Sequence, residues 1–182
     1  MIIDSGWIRG ARKVPSPNCD LRPPGTELGL IVVHGISLPP NEFGGSFIDE
    51  LFVNRLDPSA HPYFESIASR RVSAHVLIAR GGELTQYVGF DQRAWHAGVS
   101  SYCGRESCND FSVGIELEGA DDVPYERPQY AALVEVVRAL RRTYPALAGA
   151  DIVGHCDIAP GRKTDPGPAF DWTLLRRLLA NE

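Results

Sequence analysis

At 182 residues, 43% of them hydrophobic and 23% charged, the chain has the length and composition of one soluble domain built around one core, and disorder is excluded. A net charge of -5 and a pI of about 5.5 argue against nucleic acid or an anionic membrane as the main partner. No apolar run approaches the length of a membrane span, and the opening MIIDSGWIRGARK breaks at Asp4 before a signal-peptide core can form, so a cytoplasmic protein is expected.

The first 29 residues, with Pro15, Pro17, Pro23 and Pro24, read as an irregular arm. Leu30 to His34 is a β-branched apolar run and predicts a buried strand, stopped by Gly35 and by Pro39-Pro40. Ser46, with Asp49 three residues on, predicts the cap of a helix reaching about Asn54. Pro62 suits the first turn of a second short helix ending near Arg70. Residues 73–80 and 83–88 flank Gly81-Gly82 and predict a hairpin. Residues 91–110 read as a long functional loop. From Phe111 to Glu118 the chain alternates: Phe111, Val113, Ile115 and Leu117 face one way, Ser112, Gly114, Glu116 and Glu118 the other. Tyr130, Leu133, Val134, Val137 and Leu140 give residues 128–143 a helical stripe. A short strand at Asp151 to Gly154 follows, then a final helix capped by Asp171 with Leu174, Leu175, Leu178 and Leu179 inward. The expected fold is α/β, a single domain over residues 1–182 with a central mixed β-sheet flanked by helices. With the helix faces used by the core, a monomer is expected. Cys19, Cys103, Cys108 and Cys156 are irregularly spaced and read as free thiols.

The segment HCDIAPGRKTDPGP, residues 155–168, carries His155, Lys163 and Asp165 on one Pro/Gly-rich loop, and His34 ends the first buried strand. Two histidines and one carboxylate, with no fourth protein ligand, describe a catalytic zinc rather than a structural one. Amide hydrolysis at such an ion needs a base and an electrostatic clamp. Glu116 is the candidate base, although alternation alone cannot separate it from Glu118. Lys163 is the candidate clamp, a role whose loss typically costs about 3 kcal/mol of transition-state stabilisation. Among the remaining histidines, His75 reads as a core or supporting residue and His61 as exposed, while His96, beside Trp95, reads either as a groove residue or as loop packing. No HExxH helix, GxSxG elbow, Walker A loop or GxGxxG fingerprint is present.

Taken together, LIVVHGISLPP with EFGG, DPSAHPYF, RVSAHVLI, RAWHAGVSSY, CNDFSVGIELEG and GHCDIAPGRKTDPGPAFDW closely resemble the AmpD family, from about Pro15 to Trp172. These are cytoplasmic 1,6-anhydro-N-acetylmuramyl-L-alanine amidases of cell-wall recycling, related to phage amidases and peptidoglycan recognition proteins. The resemblance implies zinc held by His34, His155 and Asp165, with Glu116 as general base and Lys163 stabilising the tetrahedral intermediate. It implies anhydromuramyl peptides as substrate, with Arg71, Trp95 and His96 along the substrate groove. A peptide rich in carboxylates makes an arginine there electrostatically sensible. One position departs from the family: Gly35 stands where asparagine usually follows the first histidine, which is expected to weaken or broaden recognition without abolishing chemistry. The alternative on the same fold is a non-catalytic muropeptide-binding protein.

Overall fold

The computed structural model describes residues 1–181, and a six-stranded mixed sheet organises them. In chain order the strands are β1 (Ile3–Asp4), β2 (Trp7–Ile8), β3 (Arg12–Lys13), β4 (Cys19–Leu21), β5 (Leu30–Ile36), β6 (Val76–Ile78), β7 (Leu84–Gln86), β8 (Gln92–Ala94), β9 (Ser101–Tyr102), β10 (Arg105–Glu106), β11 (Ser112–Glu118) and β12 (Asp151–Gly154). The helices are α1 (Phe47–Phe52), α2 (Arg127–Thr143), α3 (His155–Ile158) and α4 (Trp172–Ala180). The main sheet runs β12-β5-β11-β6-β7-β3. Its first four strands are mutually parallel, while β7 returns antiparallel to β6. In the hairpin between them Ala79 N–H donates to the Glu83 carbonyl at 3.0 Å, and Gly82 takes φ +90°, a conformation that a side chain would strain.

β5 is covered on both faces, which is why it reads as a continuous apolar run rather than an alternation. Ile31 and Val33 join Val113, Ile115 and Leu117 of β11 in a cluster closed by the stripe of α2 and by Leu175 of α4. Each such side chain taken fully out of water contributes about 2 kcal/mol. The expected stripe of α2 is buried throughout, and its start is fixed by the Gln129 side chain, whose Oε1 accepts from Glu126 N–H at 2.9 Å. Asp171 caps α4 by accepting from Leu174 N–H at 2.8 Å. On the opposite face Leu30 and Val32 pack with Val153, Ile158 and Ala97, and with Phe111, which precedes β11 and so joins this cluster rather than that of Val113 as the alternation predicts, while α1 packs with Phe64, Leu77 and Tyr87. Ser112, Gly114, Glu116 and Glu118 share that opposite side of β11.

Several expectations shift where partners lie far along the chain. The N-terminal arm carries four short strands. β1 and β2 form a hairpin, β3 adds to the main sheet, and β4 pairs with β8, with Arg93 bridging Asp20 and Asp110. The 91–110 segment likewise holds β8, the β9–β10 hairpin and a 3-10 turn at Cys108–Asp110. After Pro62 only one 3-10 turn forms, at Phe64–Ser66, because Phe64 and Ile67 alone anchor that stretch. Ser46 sits at the N-cap of α1, but its hydroxyl donates to Glu50 Oε1 at 2.6 Å, and Asp49 instead accepts from Arg12 and the Tyr87 hydroxyl. All four cysteines are free thiols, and among the described residues no helix is long and apolar enough to cross a membrane.

Candidate functional site

Strand register builds the site. β11 and β5 run parallel with Glu116 directly opposite His34. β12 runs parallel to β5 on its other side, and its register ends at Gly154 opposite Val33. His155, the next residue, therefore emerges at the level of His34 as the first residue of α3. Three neighbouring parallel strands thus deliver Glu116, His34 and His155 to one C-terminal edge, the edge at which open α/β sheets bind ligands. The loop after α3 returns Asp165 to the same point, tied there by Cys156 N–H donating to the Asp165 carbonyl at 3.0 Å.

His34 Nδ1, His155 Nδ1 and Asp165 Oδ2 form a triangle with sides of 2.9, 3.2 and 3.1 Å. Donors held on a tetrahedral zinc by His and carboxylate ligands stand about 3.3 Å apart, so the triangle fits one divalent ion with an open fourth position. Behind His155, Nε2 lies 3.1 Å from the Ala97 carbonyl, which fixes its N–H there and leaves Nδ1 as a bare lone pair. Burial holds the His34 imidazolium pKa down to about 4, so the ring is neutral, as a ligand must be. Asp165 Oδ2 completes the triangle as its carboxylate corner, within 3.2 Å of both ring nitrogens.

A cavity of about 330 Å³ opens over this triangle. It is lined by His34, His155 and Asp165 together with Glu116, Lys163 and His96. Glu116 Oε2 is buried and has no hydrogen-bond partner. Burial first, and the neighbouring Asp165 second, raise its carboxyl well above the usual value. Glu118, which the sequence left as the alternative, accepts from Gly44 N–H and from Arg80 N–H at 3.2 Å and holds two loops.

His96 lines the cavity, but its ring stands behind His34, with Nδ1 2.9 Å from His34 Nε2. Arg71 and Trp95 are not among the lining residues; Arg71 is exposed and donates to the Ser69 carbonyl. The arginine at the cavity is its neighbour Arg70, joined there by Tyr63. The Arg70-Arg71 pair signalled a cation, but only tertiary placement decides which of the two faces inward.

Gly35 has a steric reason. A Cβ there would stand 2.2 Å from the hydroxyl of Tyr125, a buried side chain that donates to the Pro166 carbonyl at 3.0 Å. Tyr125 thereby props the residue following Asp165, and the absence of a side chain at 35 makes room for it.

The N-acetylmuramoyl-L-alanine amidase family matches residues 25–168. The 1,6-anhydro-N-acetylmuramyl-L-alanine amidase AmpD of Escherichia coli (strain K12) is 60% identical over 182 residues, covering 100% of this chain and 99% of that protein. A crystal structure of AmpD superposes with a TM-score of 0.95 at 60% identity, over 98% of this chain and 99% of that one. AmpDh3 from Pseudomonas aeruginosa, solved with an anhydromuramic pentapeptide, matches at 28% identity and TM-score 0.60, over 97% of this chain and 66% of that one. A parallel-strand edge carrying two histidines, an aspartate and a buried glutamate thus lies inside a match that spans the whole chain, which belongs to the N-acetylmuramoyl-L-alanine amidase family.

Proposed function

We propose that the protein is a zinc amidase that cleaves the amide between the lactyl group of 1,6-anhydro-N-acetylmuramic acid and the L-alanine of the stem peptide. The observation that carries this reading is Glu116, a carboxylate with a partnerless buried oxygen, lining the same cavity as the His34–His155–Asp165 triangle. When bound by those three residues, zinc supplies Lewis acidity that makes hydroxide available near neutral pH. Glu116 takes the proton of the attacking water at its carboxylate and hands it to the departing amine of L-alanine. Its raised affinity for a proton suits both steps. Lys163 places an ammonium beside the carbonyl oxygen that turns negative. Tyr63 and Arg70 present an aromatic ring and a cation to the sugar and peptide. We place the enzyme in the cytoplasm, as a monomer in peptidoglycan recycling. Its loss would accumulate anhydromuropeptides, which in this family feed β-lactamase regulation.

Mass spectrometry of anhydromuramyl-tripeptide incubated with the protein tests the reading. Free tripeptide is expected, halted by chelation and restored by zinc. No release with zinc bound would favour a muropeptide-binding protein on the same fold.

A further inference from the structure

We propose that His96 and Ser112 are positioning residues that fix the proton of His34 on Nε2 and so present its Nδ1 lone pair to the metal; this rests on the reading of His34, His155 and Asp165 as the ligand set. The order of protons follows from one oxygen that can only accept. Ser112 Oγ lies 2.5 Å from the Cys108 carbonyl, so the hydroxyl proton is committed to that contact. The same Oγ lies 3.1 Å from His96 Nε2, and with its own proton engaged it accepts there. His96 Nε2 therefore carries the N–H. His96 is buried with no carboxylate against it among the described residues, so its ring is neutral and Nδ1 is bare. His96 Nδ1 lies 2.9 Å from His34 Nε2, and the only proton available to that contact belongs to His34. His34 Nδ1 is left bare, aimed at His155 Nδ1 and Asp165 Oδ2.

The two ligand histidines thus reach the same tautomer by different means. His155 leans on a backbone carbonyl, which can only accept. His34 leans on another imidazole, which could equally donate, and the serine removes that choice. Strand β11 is cut for this arrangement. A Cβ at Gly114 would stand 2.3 Å from His96 Cγ, so the ring lies over the one position of that strand face that has no side chain. Ser112, Gly114 and Glu116 in alternation therefore anchor the ring, make room for it and supply the candidate base.

The test combines nitrogen-15 NMR of the zinc-loaded protein with metal affinity by chelator competition. The spectra are expected to show His96 protonated on Nε2 and bare on Nδ1. His96→Phe is expected to weaken zinc binding about 10- to 100-fold and to alter the visible spectrum of the cobalt-loaded protein. His96→Asn, whose Oδ1 can accept in place of Nδ1, is expected to recover much of the loss. Ser112→Ala is the smaller change and guards against misfolding; it is expected to weaken binding by less, with the far-ultraviolet dichroism unchanged. A His96 protonated on Nδ1, or unchanged affinity and cobalt spectrum in both Ser112→Ala and His96→Phe, overturns the proposal. His34→Ala separates the two levels. If it abolishes zinc binding while those variants bind normally, the ligand set stands and the relay falls. If it leaves binding intact, the ligand set itself falls and takes the relay with it.

Discussion

Glu116 and Glu118 stand two residues apart on the same side of one strand, 9% and 4% exposed, and differ in what they touch. Both Glu118 oxygens are occupied by backbone N–H groups of two loops. Glu116 lines the cavity and keeps one buried oxygen with no partner. Burial is common to both; satisfaction separates a carboxylate that holds two loops from the candidate base. A buried polar atom left unsatisfied costs stability, so it persists where a function requires it.

Substituting each carboxylate in turn attacks that contrast at its widest point. Glu116→Gln is expected to lower kcat by about 10²–10⁴, the usual worth of a positioned acid–base group, with the thermal midpoint unchanged or raised. Glu118→Ala should reverse the pattern. Freeing two loop N–H groups costs about 1–3 kcal/mol, read as a lower urea midpoint, while kcat per folded molecule holds. A Glu116→Gln enzyme with near-normal kcat would remove the candidate base.

The same contrast recurs between chain neighbours of like charge. Arg162 donates to the carbonyls of Ala97 and Val99, both at 2.6 Å, and so ties the 97–99 segment to the loop that carries Asp165. Lys163 lines the cavity and pairs with no carboxylate among the described residues. Lys163→Met is therefore expected to cost about 10²-fold or more in kcat with stability kept. Arg162→Met should lose about 1–2 kcal/mol of stability and change kcat far less. Equal kcat losses in the two variants would show that the pairing pattern does not sort function from scaffold here.

Gly35 sharpens the comparison from the side of space rather than charge. Asparagine at this position is usual in the family, yet its Cβ would meet the Tyr125 hydroxyl at 2.2 Å. Gly35→Asn is accordingly expected to displace Tyr125 from the Pro166 carbonyl and weaken zinc binding several-fold before any gain in recognition appears. Tyr125→Phe, which removes the hydroxyl without the clash, should relieve part of that penalty when combined with it. Improved kcat/KM in Gly35→Asn alone, with zinc affinity unchanged, would restore the simpler view that Gly35 only weakens recognition.

The parts legible in the sequence are those fixed by neighbours along the chain. The buried run of β5, the alternation of β11, the stripe of α2 and the Asp171 cap depend on period and on contacts within a turn or two. The candidate ligands were legible too, because two strand ends and a Pro/Gly-rich loop limit where side chains can go. What stayed hidden depends on partners tens of residues away. Asn18 donates to the Val72 carbonyl and to Asn54, which orders an arm that composition leaves irregular. Glu118 could not be told from Glu116 until Gly44 and Arg80 were in place. His96 stayed open between groove residue and loop packing because nothing in RAWHAG shows that Ser112 and Gly114 shape a seat for its ring behind His34, at the wall of the cavity.

The last contrast concerns a histidine whose two nitrogens are both engaged. His75 Nδ1 accepts from Gly114 N–H at 3.0 Å, and Nε2 faces the Gln92 carbonyl at 3.1 Å. Burial, and after it the charge of Arg22, hold its pKa down to about 3. An unfolded chain takes up this proton below about pH 6.5, whereas the folded protein refuses it until about pH 3. The unfolded state binds more protons throughout that window, so stability is full above it and falls as the pH drops. The slope contributed by one such histidine is at most about 1.4 kcal/mol per pH unit. His75→Asn keeps an acceptor for Gly114 N–H and removes the titrating ring. Urea unfolding of chelator-treated protein at pH 7, 6 and 5 should therefore show a shallower acid-side slope in the variant, whatever its absolute stability. His34 and His96 are held down by burial as well and remain in both proteins, so the difference in slope reports on His75 together with its coupling to His96. Identical slopes would mean that His75 is protonated in the folded state as readily as in the unfolded one, and that its two engaged nitrogens do not enforce neutrality.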